Sequence, residues 1–470
     1  MFELDLSYSI LLILCLVAAC AFEFVNGFHD TANAVATVIY TNSLKPWIAV
    51  IWSGFCNFLG VLVGGVAVAM AIVNLLPVES LIDQNISHSI SMVMALLISA
   101  ISWNLLTWYF GIPCSSSHTL IGSILGVGIA FSLLPNSMET AVNWAKAEEM
   151  GISLLISPMF GFSLTIVLMF VIRTLTKKTD YGDNLFKEPK KNQPPPWSIR
   201  SVLLLTCTGV SFFHGSNDGQ KGVGLIMLIL IGIVPGYFAL NEKISPQSLS
   251  PALAQIETVI HVIDSSSLSQ PDRSKLWATQ VMNQKLISAV GGVSTVSSLS
   301  KEGRFEIRRN IVVMDRNLKN IVGKEEARVS EKDKKTLKEQ LTVLKKITDY
   351  SPRWVILLIS LSLGLGTMIG WKRIVKTIGE KIGKEHLTYA QGVSAELVAA
   401  STIAASTYLG LPVSTTHVLS SGIAGSMVAS KGIKNLQPET VRNILIAWLL
   451  TLPVVMVMAG TLFLLFRNIF

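Results

Sequence analysis

The sequence predicts an all-α polytopic membrane protein: two inverted five-span repeats with broken helices at the midplane, plus an extramembrane helical insertion. Three observations lead there: the composition, a series of long apolar runs, and a polar motif that occurs twice. Of the 470 residues 50% are hydrophobic and only 14% charged, and the mean hydropathy is +0.54. A soluble chain carries about 25% charged residues, so an ordinary cytosolic enzyme, a disordered protein and a disulfide scaffold are excluded. Runs 47–76, 90–111, 112–134, 151–172 and 443–466 are each long enough to cross a hydrocarbon core of about 30 Å as a helix.

At the N-terminus, Glu3 and Asp5 precede the apolar run 8–22. A cleaved signal begins with basic residues, so this run is expected to be a retained span. The net charge of +8 comes from 38 Lys and Arg against 30 Asp and Glu. It sits in loops between spans, where the positive-inside rule places it, and does not indicate a nucleic-acid binder. Cys15, Cys20, Cys56, Cys114 and Cys207 lie in or beside apolar segments without a CxxC pair, which reads as buried thiols.

Loop charge orders the first half. Glu3 and Asp5 are expected outside and Lys45 inside; Glu79 and Asp83 form an acidic outer loop, and Glu139, Glu148 and Glu149 a second. The span 151–172 then returns to Arg173, Lys177, Lys178, Lys187, Lys190 and Lys191 inside. Five crossings is an odd number, so a second copy of the unit enters the membrane upside down.

The second copy is visible. Ile112-Pro-Cys-Ser-Ser-Ser-His118 reappears as Leu411-Pro-Val-Ser-Thr-Thr-His417 at an offset of 299, with six of fifteen positions identical across 112–126 and 411–425. Gly27-Phe-His-Asp30 pairs with Gly215-Ser-Asn-Asp218 at an offset of 188. Two halves of odd span count indicate the inverted-repeat architecture of secondary transporters. The offsets differ because of one insertion, 241–350, in which Ile307, Ile311, Met314, Leu318 and Ile321, then Leu337, Leu341 and Leu344, recur at helical spacing. The expected order is a first repeat at 1–173, a cytoplasmic linker at 174–198 containing Pro194-Pro-Pro196, and a second repeat at 199–240 and 351–470. Lys372, Arg373, Lys376, Lys381 and Lys384 flank the far end of span 352–371; placing them inside puts the insertion outside.

Asp30 and Asp218 are the first candidate site residues. A carboxylate at bilayer depth costs roughly 2.5–3.5 kcal/mol, and each lies beside Gly, where a membrane helix can break. The bland alternative is a helix-end Asp near the interface. The functional reading is a cation or proton site between repeats, with Asn26, His29 and Asn33 near one acid and His214, Asn217, Gln220 and Lys221 near the other.

Ser115, Ser116 and Ser117, and their counterparts Ser414, Thr415 and Thr416, follow a proline and fit the first turn of a helix. Free N–H groups, the positive dipole end and hydroxyl donors together make an anion site without Arg. Two such turns related by inversion would face each other across a tetrahedral oxyanion. Ser and Thr also join membrane helices with no further role, but that reading does not explain the duplication. His118 and His417 follow at matching positions, to donate, relay protons or lock the turns. Glu23 and Glu396 are lone acids in apolar segments, paired by the offsets with Ser211 and Leu97, and are weaker candidates for a proton relay. Gly60, Gly64 and Gly65, and Gly364, Gly366 and Gly370, read as close-packing faces rather than phosphate loops.

These residues resemble a known family. Gly27-Phe-His-Asp-Thr-Ala-Asn-Ala34, His214-Gly-Ser-Asn-Asp-Gly-Gln-Lys-Gly222 and the two Pro-x-Ser-[Ser/Thr]-[Ser/Thr]-His turns are similar to the PiT family of inorganic phosphate transporters, and the whole chain resembles its bacterial low-affinity branch. The resemblance implies phosphate symport driven by protons or Na⁺, protons in the bacterial branch, with phosphate free or carried as a neutral divalent-metal complex. It implies that Asp30, Asp218 and the six hydroxyl residues line the phosphate and coupling-ion sites; from their positions beside the two acids, His29, Asn33, Asn217 and Lys221 are expected around the coupling ion with Asp30 and Asp218. Two departures weigh against Na⁺ ligation: His29 stands where the family has Asn, and Lys221 replaces the second Asn of the motif.

The expected partners are therefore inorganic phosphate, protons ahead of Na⁺, a divalent metal travelling with the phosphate, and inner-membrane lipid, with a homodimer left open. No cofactor and no catalytic residue are expected, and metal ligands are not assigned. An intramembrane hydrolase is the alternative from another class, but the chain has no Gly-x-Ser-x-Gly elbow and one nucleophile needs one Ser turn. An ion channel is the third, which saturable, gradient-driven uptake would exclude.

Overall fold

The computed structural model describes residues 2–76, 86–134, 142–190 and 193–469, so Glu79, Asp83, Glu139 and Lys191 of the expected loops lie outside the described residues. The chain divides into two units, Met1–Glu3 with Leu230–Tyr350, and Leu4–Ile229 with Ser351–Phe470. Among the described residues the backbone is helical apart from loops and one isolated antiparallel bridge, Gly383 to Leu436.

In chain order the first helices are α1 (Leu6–Tyr40), α2 (Pro46–Val63), α3 (Ala67–Val73), α4 (Ile86–Tyr109) and α5 (Ser116–Ser132). Then come α6 (Trp144–Leu175), α7 (Asp180–Leu185) and α8 (Trp197–Ile233). The smaller unit contributes α9 (Pro235–Phe238), α10 (Ser250–Val262), α11 (Gln270–Val290), α12 (Lys301–Val322) and α13 (Glu331–Thr348). The chain finishes with α14 (Arg353–Thr367), α15 (Lys372–Lys376), α16 (Tyr389–Tyr408), α17 (Thr415–Lys431) and α18 (Pro438–Phe466).

The larger unit is apolar outside and polar within. Leu155 and Met159 on α6 and Leu449 and Val457 on α18 are about two-thirds exposed or more, while Asp30, Asp218 and Lys221 are at most 2% exposed. Such a surface suits lipid, not water. Among the described residues five helices are long and apolar enough to cross a membrane: Leu6–Tyr40, Pro46–Val63, Ser87–Tyr109, Trp144–Leu175 and Pro438–Phe466. Arg353–Thr367 with Lys372–Lys381, bent by 54°, makes a sixth if counted as one span.

The two halves build matching local structures. α5 and α17 each have 17 residues, and their starts are 299 positions apart. Before each, a glycine in the left-handed region, Gly111 at φ +66° and Gly410 at φ +70°, ends the preceding helix. The Ile112 N–H then bonds the Thr107 carbonyl at 3.0 Å and the Leu411 N–H the Ser406 carbonyl at 2.9 Å, the same Schellman closure twice.

Packing between halves is reciprocal: α6 lies along α17 and α18 along α5, while α1 lies along α14. A side chain at Gly126 would collide with the Met456 carbonyl of α18, and one at Gly425, its partner by the offset of 299, with the Phe162 carbonyl of α6. Gly27 and Gly215 likewise lay bare backbone against α14 and α2. Small residues let membrane helices approach this closely.

Four expectations need correction. The helices do not break beside Asp30 and Asp218; α1 and α8 run straight through both, because Gly27 and Gly215 serve close packing and not a turn. Pro113 and Pro412 are not in the first helical turn: Ser115 and Ser414 are the N-caps, so each proline stands two residues before its cap. The run 47–76 is interrupted after α2, where Gly65 adopts φ +81°, and Gly370 after α14 adopts φ +76°; these two glycines stop helices, whereas Gly60, Gly64, Gly364 and Gly366 pack closely as expected. Finally, α5 spans roughly 25 Å at 1.5 Å per residue, short of a full crossing.

In the smaller unit Ile307, Ile311, Met314, Leu318 and Ile321 of α12 and Leu337, Leu341 and Leu344 of α13 face one core, matching their spacing. Buried Arg308 donates to the Ala239 carbonyl at 3.1 Å and the Thr348 carbonyl at 2.7 Å, tying the chain's entry to its exit.

Candidate functional site

Four segments that the sequence keeps far apart deliver the site. α1 carries Asp30, α8 carries His214, Asp218 and Lys221, and the starts of α5 and α17 carry the two hydroxyl turns. Ser115 and Ser414 accept the N–H of His118 at 3.2 Å and of His417 at 3.1 Å, so the first hydroxyl of each turn is used as a cap. The next ones are aimed inward.

Thr416 donates to Asp30 Oδ1 at 2.6 Å, and Ser116 lies 3.0 Å from Asp30 Oδ2 and 3.4 Å from Asp218 Oδ2. One hydroxyl from each half therefore serves the same carboxylate. Asn33 donates to Thr416 Oγ1 at 2.9 Å. His29 contacts Asp30 Oδ1 at 3.2 Å and Thr107 Oγ1 at 3.3 Å through its two ring nitrogens.

Lys221 does not reach for an interface. It is 1% exposed, ion-paired with Asp218 at 2.8 Å, and donates to Ser117 Oγ at 2.5 Å. Ser117 passes its own hydroxyl hydrogen to the Val413 carbonyl at 2.6 Å, which anchors this arm to the opposite turn. His214 Nε2 stands 3.8 Å from Asp30 and 3.6 Å from Asp218, and makes no hydrogen bond among the described residues. Its Nδ1 meets Asn57 Oδ1 at 2.9 Å, and Asn57 donates onward to Thr367.

Asp30, His214 and Asp218 bring three ligand atoms within 4.8 Å of one another, and all three residues are buried. Two carboxylate oxygens and an imidazole nitrogen fit a divalent transition metal better than Na⁺, which favours oxygen alone. Among the described residues the buried Thr415 Oγ1 and Asp218 Oδ1 have no hydrogen-bond partner.

Other expected residues lie elsewhere. Asn217 turns away from the acids, donating to Thr407 and the Leu411 carbonyl and accepting from the Val413 N–H. Gln220 binds the Val68 N–H and the Gly64 carbonyl, and Asn26 donates to Glu23 at 3.2 Å. Glu396 accepts from Thr37 and Thr206, apart from the cluster. Ser211 bonds Ser53, and Leu97 is core. The His118 and His417 rings lie 4.6 Å apart between centroids, tilted by 39°, and His417 stacks on Trp448 at 3.9 Å. Sequence reasoning missed Asn57, Thr107 and Thr367. They are single polar residues in apolar runs with no duplicated motif to mark them.

Residues 26–459 match the family described as the phosphate transporter family. The chain is 40% identical to the low-affinity inorganic phosphate transporter PitA of Escherichia coli strain K12, over 98% of this chain and 97% of that one. It is also 40% identical to a low-affinity inorganic phosphate transporter of Buchnera aphidicola from Acyrthosiphon pisum, with the same coverage. A solved structure titled the sodium-dependent phosphate transporter shares the fold, with a TM-score of 0.56, 19% identity, and coverage of 98% of this chain and 100% of that one.

Proposed function

The chain belongs to the phosphate transporter family, in its bacterial low-affinity branch, and from that premise we propose that it imports inorganic phosphate by proton symport. It is a multi-pass membrane transporter and not an enzyme, as its relatives are. The observation that carries the coupling is the shared use of donors: Ser116 and Thr416 both bond Asp30.

An ionised Asp30 competes with phosphate for these hydroxyls and repels it. A proton on Asp30 removes the charge and frees the donors, which then turn to phosphate oxygens alongside Thr415 and the free N–H groups of α5 and α17. Proton and phosphate thus favour each other's binding, as symport requires. Lys221 supplies the fixed positive charge beside Asp218, at the position where a second cation would otherwise sit. His29 is placed to pass the proton to Asp30.

A second reading concerns the form of the substrate. The Asp30–His214–Asp218 set supports phosphate carried with a divalent metal in place of the proton on Asp30, with both acids ionised and the Lys221 ammonium shifted from Asp218 toward Ser117 to admit it. Na⁺ coupling is the weaker alternative, since the lysine and the imidazole both disfavour Na⁺.

We read the halves as inverted five-span repeats in the inner membrane, with 174–198 as a cytoplasmic linker and 241–350 outside. The matched α5 and α17 and the reciprocal glycine contacts support that reading. The coupling is tested with Asp30→Asn, which cannot take up the proton. It should still exchange labelled phosphate between equal pools but fail to concentrate it under a pH gradient. Accumulation at the wild-type level would overturn the proposal.

A further inference from the structure

A cavity of about 370 Å³ lies in the larger unit, where α6 ends and α7, the start of α16 and the end of α17 converge. It shares no residue with the buried cluster described above. Arg173, Lys177, Lys178 and His386 line it, and among the described residues their side chains have no hydrogen-bond or ion-pair partner. Lys431 is neutralised by Glu385 at 2.6 Å, which leaves Asp183 as the other acid of the lining against three unpaired fixed cations. A concave, low-dielectric wall concentrates such a field.

The backbone supports a built site. Lys178 adopts φ +67°, a left-handed conformation uncommon outside glycine, in the turn that carries Lys177 and Lys178 to the rim. Thr388 caps α16 here, so the positive end of that helix faces the same space. The apolar wall is exposed: Phe170, also in the lining, is 55% exposed, and Leu175 of the same helix is 76% exposed. Cations above an exposed apolar helix face match a phosphate headgroup with its acyl chains lying along the helix.

We propose that this cavity is a second anion site that takes a phosphate group, delivered by an anionic phospholipid or by free inorganic phosphate. Guanidinium and ammonium donors with a helix N-terminus are the chemistry that both sources share.

The test uses the full chain purified in detergent, and compares wild type with Lys177→Gln/Lys178→Gln. Both side chains are exposed, so folding is not at stake, and Lys177→Arg/Lys178→Arg serves as the charge-preserving control. Thermal unfolding is followed against added phosphatidylglycerol, phosphatidylcholine and inorganic phosphate. The transport site is intact in every variant, so its response to phosphate cancels in the comparison. Stabilisation by phosphatidylglycerol but not phosphatidylcholine, with apparent affinity roughly tenfold weaker in the Gln variant and kept in the Arg variant, assigns the site to lipid. A smaller response of the Gln variant to inorganic phosphate alone assigns it to the free ion. Equal responses of wild type and the Gln variant to all three additives overturn the proposal.

Discussion

Thr416 donates its hydroxyl to Asp30 at 2.6 Å, across 386 positions of sequence. Ser116 reaches the other oxygen of the same carboxylate at 3.0 Å, so Asp30 ties the two hydroxyl turns together. On the proposed reading, a tetrahedral oxyanion entering between the turns takes these donors from it.

Ser116→Ala and Thr416→Ala each remove one donor from a buried anion. A hydrogen bond to a charged group is worth roughly 1.5–3 kcal/mol, so half-saturation for phosphate should rise about tenfold or more. Thr415→Val should raise it as well, since its hydroxyl is buried and uncommitted. Initial rates of labelled phosphate uptake against concentration measure this, and unchanged half-saturation in all three variants would move the anion site elsewhere.

Lys221→Asn removes the ammonium that pairs with Asp218 at 2.8 Å and restores the carbonyl oxygen found at Asn33 in the first half. Proton-driven uptake should weaken, and added Na⁺ should stimulate what remains. Full proton-driven uptake indifferent to Na⁺ would show that the lysine has no part in coupling.

The divalent set makes its own demand. Chelation of metals in the assay medium should lower phosphate uptake, Mn²⁺ or Zn²⁺ should restore it, and labelled metal should enter with phosphate. His214→Leu should lower metal entry, because the imidazole is the nitrogen donor that the set offers a metal. Phosphate uptake unaffected by chelation would remove the metal-phosphate reading while leaving proton coupling in place.

Topology is tested by single cysteines in a background without native thiols. At Lys187 and Lys381, both exposed, they should be sheltered from an impermeant thiol reagent in intact cells, and at Lys332 one should react. Protection at Lys332 together with Lys381 would break the odd crossing count in the second half.

Much of the site was legible because it is duplicated. The pair Ser116 and Thr415, 299 apart, announces two equivalent helix starts, and Asp30 and Asp218 stand out as acids in apolar runs. What was hidden depends on the third dimension. His214 reads as a neighbour of Asp218, but its ring stands between both acids. Asn217 looks equally well placed beside Asp218, yet it points to the other side of α8 and fastens the 411–413 turn, because adjacent helical residues face about 100° apart. Gly27 and Gly215 suggested helix breaks, since sequence alone does not distinguish a glycine that frees the backbone from one that admits a neighbouring helix.

The central claim is that protons and not Na⁺ drive phosphate through this cluster. Proteoliposomes holding the wild-type protein should concentrate labelled phosphate when an inward pH gradient is imposed in Na⁺-free buffer. With pH equal on both sides and only a Na⁺ gradient imposed, internal phosphate should rise no higher than the external concentration. Concentrative uptake under the Na⁺ gradient alone would contradict the account.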